Sequence, residues 1–216
     1  MSEPKPPVDQ HTYVKDGSEI YARSFAIIRA EADLSGFDGL AEKVVVRMIH
    51  ACGMTDLPRD VVMSDGFADA AHDALKRGAP ILCDARMVAN GITRTRLPAN
   101  NDVICTLQDD GVRELAVKMG NTRSVAAMEF WRPHLDGAVV AIGNAPTSLF
   151  HLLNMIDEGA PRPAAVIGIP VGFVGAAESK AALATRADIP HVVVKGRRGG
   201  SAMTVAAVNA VASVVE

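Results

Sequence analysis

From residue 138 onward the chain repeats one pattern: a short unbroken apolar run, a glycine-bearing turn, then a longer segment of helical composition. The runs are 138–142, 164–169 and 191–195, and the segments after them are 147–158, 176–185 and 201–214. A strand that is apolar at every position has both faces covered, and strands separated by helices return parallel to one another. Right-handed crossovers place every strand-to-helix turn on one edge of such a sheet. The pattern therefore predicts an α/β chain: a single domain with a mainly parallel sheet flanked by helices, its ligand site at the C-terminal edge of the strands.

The first half fits the same scheme less regularly. Residues 1–12, crowded by Pro4, Pro6 and Pro7, read as a flexible tail before a domain over 13–216. Asp16 with Glu19 three positions on resembles a capping box and predicts a helix through Ile20, Phe25, Ile27 and Ile28. A second helix over 40–52, stopped by Gly53, is apolar around most of its circumference and so is expected to be buried or in an interface. Strands are expected near 60–63, 81–83 and 103–107, and helices over 66–77, 112–119 and 122–131.

Composition excludes some classes. Net charge is -3, so no global basic field would draw the chain to nucleic acid or anionic lipid. Any anionic ligand must be held by a local cluster. Three cysteines without a CxxC suit free thiols in a reducing compartment. Neither a signal peptide nor a run of about eighteen apolar residues is present, so the expected setting is cytoplasmic and away from membranes.

Three turns share a glycine-bearing composition: 143–147 (GNAPT), 168–175 (GIPVGFVG) and 196–201 (GRRGGS). Each leads into a helix whose first N–H groups have no partner inside it, and together they suit anionic groups. No turn has the dinucleotide GxGxxG after a strand or the P-loop spacing, since Lys180 stands wrongly relative to Gly175. Metal-ligand and serine-nucleophile motifs are missing as well. Arginines cluster at Arg94/Arg96, Arg123 and Arg197/Arg198, and guanidinium pairs bidentately with carboxylate. Several clusters in an acidic chain suit a ligand with several acidic arms; each alone is also what a solvated loop shows. Of six histidines, His50 differs, since it ends the apolar second helix. A helix C-terminus favours imidazolium and an apolar surround disfavours it, a balance suited to a general acid. On the residues alone, a histidine that merely caps carbonyls is the favoured reading.

Seven blocks, in order, resemble the precorrin-8X methylmutase family: 20–29 (IYARSFAIIR), 47–53 (RMIHACG), 80–85 (PILCDA), 120–124 (GNTRS), 142–147 (IGNAPT), 170–180 (PVGFVGAAESK) and 199–204 (GGSAMT). The resemblance spans 13–211. It implies isomerisation of precorrin-8X to hydrogenobyrinic acid by migration of a methyl group from carbon 11 to carbon 12 of the macrocycle, with no metal, nucleotide or redox cofactor. It implies that His50 protonates the ring-C nitrogen to assist a 1,5-sigmatropic shift, and that the protein is a homodimer with sites near the subunit interface. On that reading Tyr21, Arg23 and Ser24 position the acid or the macrocycle. Thr93, Arg94, Arg123 and Ser124 hold carboxylate arms, and Asn144 with Gly199, Gly200 and Ser201 offers further donors. Three alternatives stay open: a cobalt-containing substrate, a corrin carrier without turnover, and a nucleotide-dependent transferase.

Overall fold

The computed structural model describes residues 11 and 13–213. Six strands form one sheet: β1 (Val61–Met63), β2 (Ile81–Cys83), β3 (Val103–Ile104), β4 (Val139–Ile142), β5 (Ala165–Gly168) and β6 (His191–Val194), in the order β1-β6-β5-β4-β2-β3. Strands β2 to β6 run parallel, while β1 adds to the edge antiparallel, with Val61 opposite Val194. The nine helices described are α1 (Gly17–Glu31), α2 (Gly39–Cys52), α3 (Phe67–Lys76), α4 (Arg86–Gly91), α5 (Val112–Met119), α6 (Arg123–Glu129), α7 (Pro146–Asp157), α8 (Ala176–Ala184) and α9 (Ser201–Ala212).

The continuous apolar runs have the expected cause. Val139, Ala141, Ile167, Val192 and Val194 face one core with α2, α3 and α9, and Val140, Ile142, Val166 and Val193 face a second core with α7 and α8. With both faces covered, the strand positions are apolar apart from His191 at the start of β6, whose ring bonds Ile189 O at 2.7 Å. α2 reads as apolar all round because it is wrapped by α1, α3 and α9. It ends as expected: Gly53 is left-handed (φ 68°) and its N–H bonds Ile49 O at 2.7 Å. The cap of α1 also forms, with Asp16 accepting from the Glu19 N–H at 3.0 Å.

Three expectations differ. The strand foreseen over 103–107 keeps ladder geometry only at Val103–Ile104, because β3 is an edge strand and the chain then turns so that Thr106 bonds Ala127 O at 2.7 Å. The short helix α4 was not foreseen; its six residues leave too little periodicity to read. The tail expected over 1–12 lies outside the described residues, His11 apart.

Candidate functional site

The chain moves outward from β2 to β3, then crosses back to β4 and on through β5 to β6. Strand order thus reverses between β2 and β4, which is where open α/β sheets place their ligand crevice. Around that edge the foreseen residues fall into three groups.

The first group sits on α1 and α2. α2 is buried through Ile49, and His50 is the residue at which it surfaces. The imidazole is therefore exposed, rather than set within the apolar surround that the helix composition suggested. Its wall is aromatic: the Phe25 and Tyr21 rings lie 5.2 and 5.5 Å from it, centroid to centroid. The Arg47 guanidinium stands 4.9 Å over the Phe25 ring. Arg23 is turned to an ion pair with Glu19 one turn before it, and Ser24 is half-buried on α1. Phe25, foreseen only as part of the first helix, is both buried and a neighbour of His50.

The second group surrounds the ends of β2, β3 and β4. The turn 143–147 was read as an anion cradle. It is one, but the chain fills it: Asp84 at the end of β2 accepts from the N–H groups of Gly143 (2.9 Å), Asn144 (2.9 Å) and Ala145 (2.7 Å). Burial pushes the Asp84 carboxyl up, and the three backbone donors oppose that shift. The backbone of this turn is thus spent on clamping β2 to β4, while the Asn144 side chain stays exposed. The expected arginines lie nearby and remain exposed. Arg123 opens α6, its guanidinium 3.5 Å from Leu107 O, beside a shallow cavity of ≈ 380 Å³ lined by Gln108, Asp109 and Arg113. Thr122 caps that helix, and its hydroxyl meets Thr147 at 3.2 Å; Ser124 is half-buried. The Thr93 N–H is tied to Asn209 of α9 at 2.9 Å, which holds Arg94 at this edge with its side chain free to reach outward.

The third group is two loops braced against each other. A Cβ on Gly199 would come 2.5 Å from Ile169 O and 2.6 Å from Pro170 O, so only glycine lets the 196–201 turn lie on the 168–175 turn. The Gly200 N–H bonds Ile169 O at 2.8 Å, and Ser201 is buried as the first residue of α9. Arg198 pairs with Asp56, just beyond the end of α2, at 2.8 Å. Arg197 lies 5.1 Å over the exposed Phe173 ring. The unforeseen member is Lys180 of α8, which is 1 % exposed and donates to Arg198 O at 2.5 Å.

The ring neighbours of His50 come from α1, while Thr93 is bonded to α9 and Arg123 to Leu107, just after β3. The foreseen residues thus fall on separate elements around this edge: His50 with α1 and α2, Thr93 against α9, and Arg123 beside Leu107.

Comparison with known proteins matches this arrangement to a family. The family profile described as precorrin-8X methylmutase covers residues 19–214. The chain is 60 % identical over 202 residues to a protein of Pseudomonas aeruginosa named precorrin-8X methylmutase, covering 93 % of this chain and 97 % of that one. A protein of Sinorhizobium with the same name is 59 % identical over 204 residues, with 94 % and 97 % covered. A cobalt-precorrin-8 methylmutase of Methanothermobacter thermautotrophicus is 39 % identical, with 90 % and 91 % covered. Among solved structures, a precorrin-8x methyl mutase from Thermus thermophilus superposes with a TM-score of 0.82 at 42 % identity, with 90 % and 94 % covered.

Proposed function

This chain belongs to the precorrin-8X methylmutase family and is an isomerase of cobalamin biosynthesis, and from that membership we propose how its residues carry the reaction. The substrate is the metal-free precorrin-8X and the product hydrogenobyrinic acid. The metal-free form is favoured because the two relatives near 60 % identity are named for it, whereas the cobalt-named relative stands at 39 %. The observation that carries the mechanism is His50, exposed at the C-terminus of α2 with Tyr21 and Phe25 flanking it.

The imidazolium donates its proton to the ring-C nitrogen of the macrocycle. That withdraws electrons from the conjugated system, and the methyl group passes from carbon 11 to carbon 12 within the same molecule. The proton then returns to the imidazole, so nothing is gained or lost overall. No acceptor, nucleotide or redox partner enters this balance. The Tyr21 and Phe25 rings offer an apolar surface to the macrocycle. Arg94 and Arg123, with Thr93, Ser124 and Asn144, hold carboxylate arms, and the first turn of α9 from Ser201 receives another behind Gly199 and Gly200. The protein works as a homodimer in which a second copy covers α1. Free Cys52, Cys83 and Cys105 suit a reducing cytoplasm.

The test is turnover of precorrin-8X followed by the visible spectrum, with co-elution of hydrogenobyrinic acid on a desalting column as the binding control. Pigment bound and substrate converted supports the reading. Pigment bound without conversion makes the protein a carrier, and a colourless protein fraction removes the corrin site.

A further inference from the structure

Lys180 is the most deeply buried charged side chain among the described residues. It is 1 % exposed on α8, in a position that an apolar residue would fill at no cost in charge desolvation. Its Nζ donates to Arg198 O at 2.5 Å, and among the described residues it forms no ion pair. The nearby Asp60 is directed instead at Arg198, 3.5 Å away. A buried ammonium bonded to a neutral carbonyl, with a carboxylate acting on it only from a distance, is costly unless the charge serves something.

The carbonyl it holds lies in the 196–201 turn. That turn is fixed at three points: Arg198 O by Lys180, Gly199 by its packing on Ile169 and Pro170, and the Gly200 N–H by Ile169 O. Directly after it, the amides of Ser201, Ala202 and Met203 open α9 with no acceptor among the described residues. Resting on the corrin reading above, we propose that Lys180 is a positioning residue for substrate: it fixes the 196–201 turn and sets a positive charge behind the amides that receive a carboxylate arm. It touches neither the reacting carbons nor the arm, and it acts through the turn.

The charge can be switched. Burial pulls the Lys180 ammonium down to about 8, and Asp60 opposes that shift. The groups facing it are Asp60 from the segment before β1, Arg198 in the turn and, behind Arg198, Asp56 and Cys52. Burial pushes the Cys52 thiol up, so it adds no charge in this range. Raising the pH through about 8 therefore removes the positive charge behind the turn, and affinity for a polycarboxylate falls.

The experiment uses the full chain, hydrogenobyrinic acid as probe, and Lys180→Met, which keeps an unbranched side chain one atom shorter and without its charge. In the ligand-free protein, exchange of the Gly200 amide, which is bonded to Ile169 O, should quicken about tenfold in the variant. At pH 7 its Kd for the pigment should rise about tenfold. Between pH 7 and 9 the affinity of the unaltered protein should fall while that of the variant stays level. Equal Kd values with parallel pH curves overturn the proposal. So does a level curve for the unaltered protein, which needs no variant. An unaltered protein that retains no pigment refutes the corrin reading itself, and the substrate role of Lys180 with it, whatever the exchange rates show.

Discussion

The two groups that matter most at the β2–β4 edge and on α2 are held by opposite means. His50 is exposed and makes only ring contacts, so little of the fold depends on it. His50→Ala should lower kcat by about two to four powers of ten, the range of a general acid, and leave the circular dichroism and the melting temperature unchanged. An active variant would leave the methyl shift to enforced geometry alone. Asp84 is buried and accepts three backbone N–H bonds, so most of its contribution is to stability. Asp84→Ala orphans those donors and should cost about 3 kcal/mol or more, seen as a drop of roughly 6–12 °C in Tm. Lys180 adds a pH signature with a definite sign. Its folded value near 8 lies below the ordinary 10.5, so above pH 8 the unfolded chain binds more protons than the folded one. Stability carried by this group therefore rises with pH between about 8 and 10.5, and denaturant titrations of Lys180→Met should lack that rise.

At the level of elements, the C-terminal half was legible because each strand is a full apolar run with a glycine turn behind it, and only a doubly covered parallel sheet produces that text. Capping of α1 by Asp16 and termination of α2 at Gly53 were legible because each uses a local signal within four residues. What stayed hidden was every feature whose partner is distant in sequence. The turn 143–147 has the composition of an anion site, but its anion is Asp84, about sixty positions earlier. Lys180 drew notice only for failing the P-loop spacing, since its partner carbonyl belongs to another loop. The exposure of His50 depends on where α2 leaves the core, which no periodicity fixes. Gly199 shows the same logic from the packing side. Gly199→Ala would force a Cβ against two backbone oxygens that cannot swing aside, so the paired loops must part. A loss of about 1–3 kcal/mol is expected in denaturant unfolding, with pigment affinity falling in parallel. A variant that is as stable and binds as tightly would mean that the loops are not braced as drawn.

For the whole molecule, the spread of the foreseen residues over several elements bears on the proposed homodimer. His50 and its aromatic wall belong to α1 and α2, and the arginines that suit carboxylate arms belong to the β2–β4 edge. α1 also presents Ile20, Tyr21 and Ile27 to the exterior, an apolar stripe directly beside the acid. A second copy that covers this stripe would bring its own edge toward His50, and two-fold symmetry would build the same site twice. Light scattering should then report about twice the 22.7 kDa of the chain, and Ile27→Glu should shift it toward the monomer with loss of turnover. The stronger test asks which chain supplies which group. His50→Ala and Arg123→Ala should each be inactive as pure proteins. Unfolded together and refolded, they give mixed dimers in about half the population. If each site takes His50 from one copy and Arg123 from the other, every mixed dimer has one site with both groups lost and one with both intact. Activity should return to roughly one quarter of the unaltered protein. If both groups come from the same chain, each site in the mixed dimer carries one lesion and no activity returns.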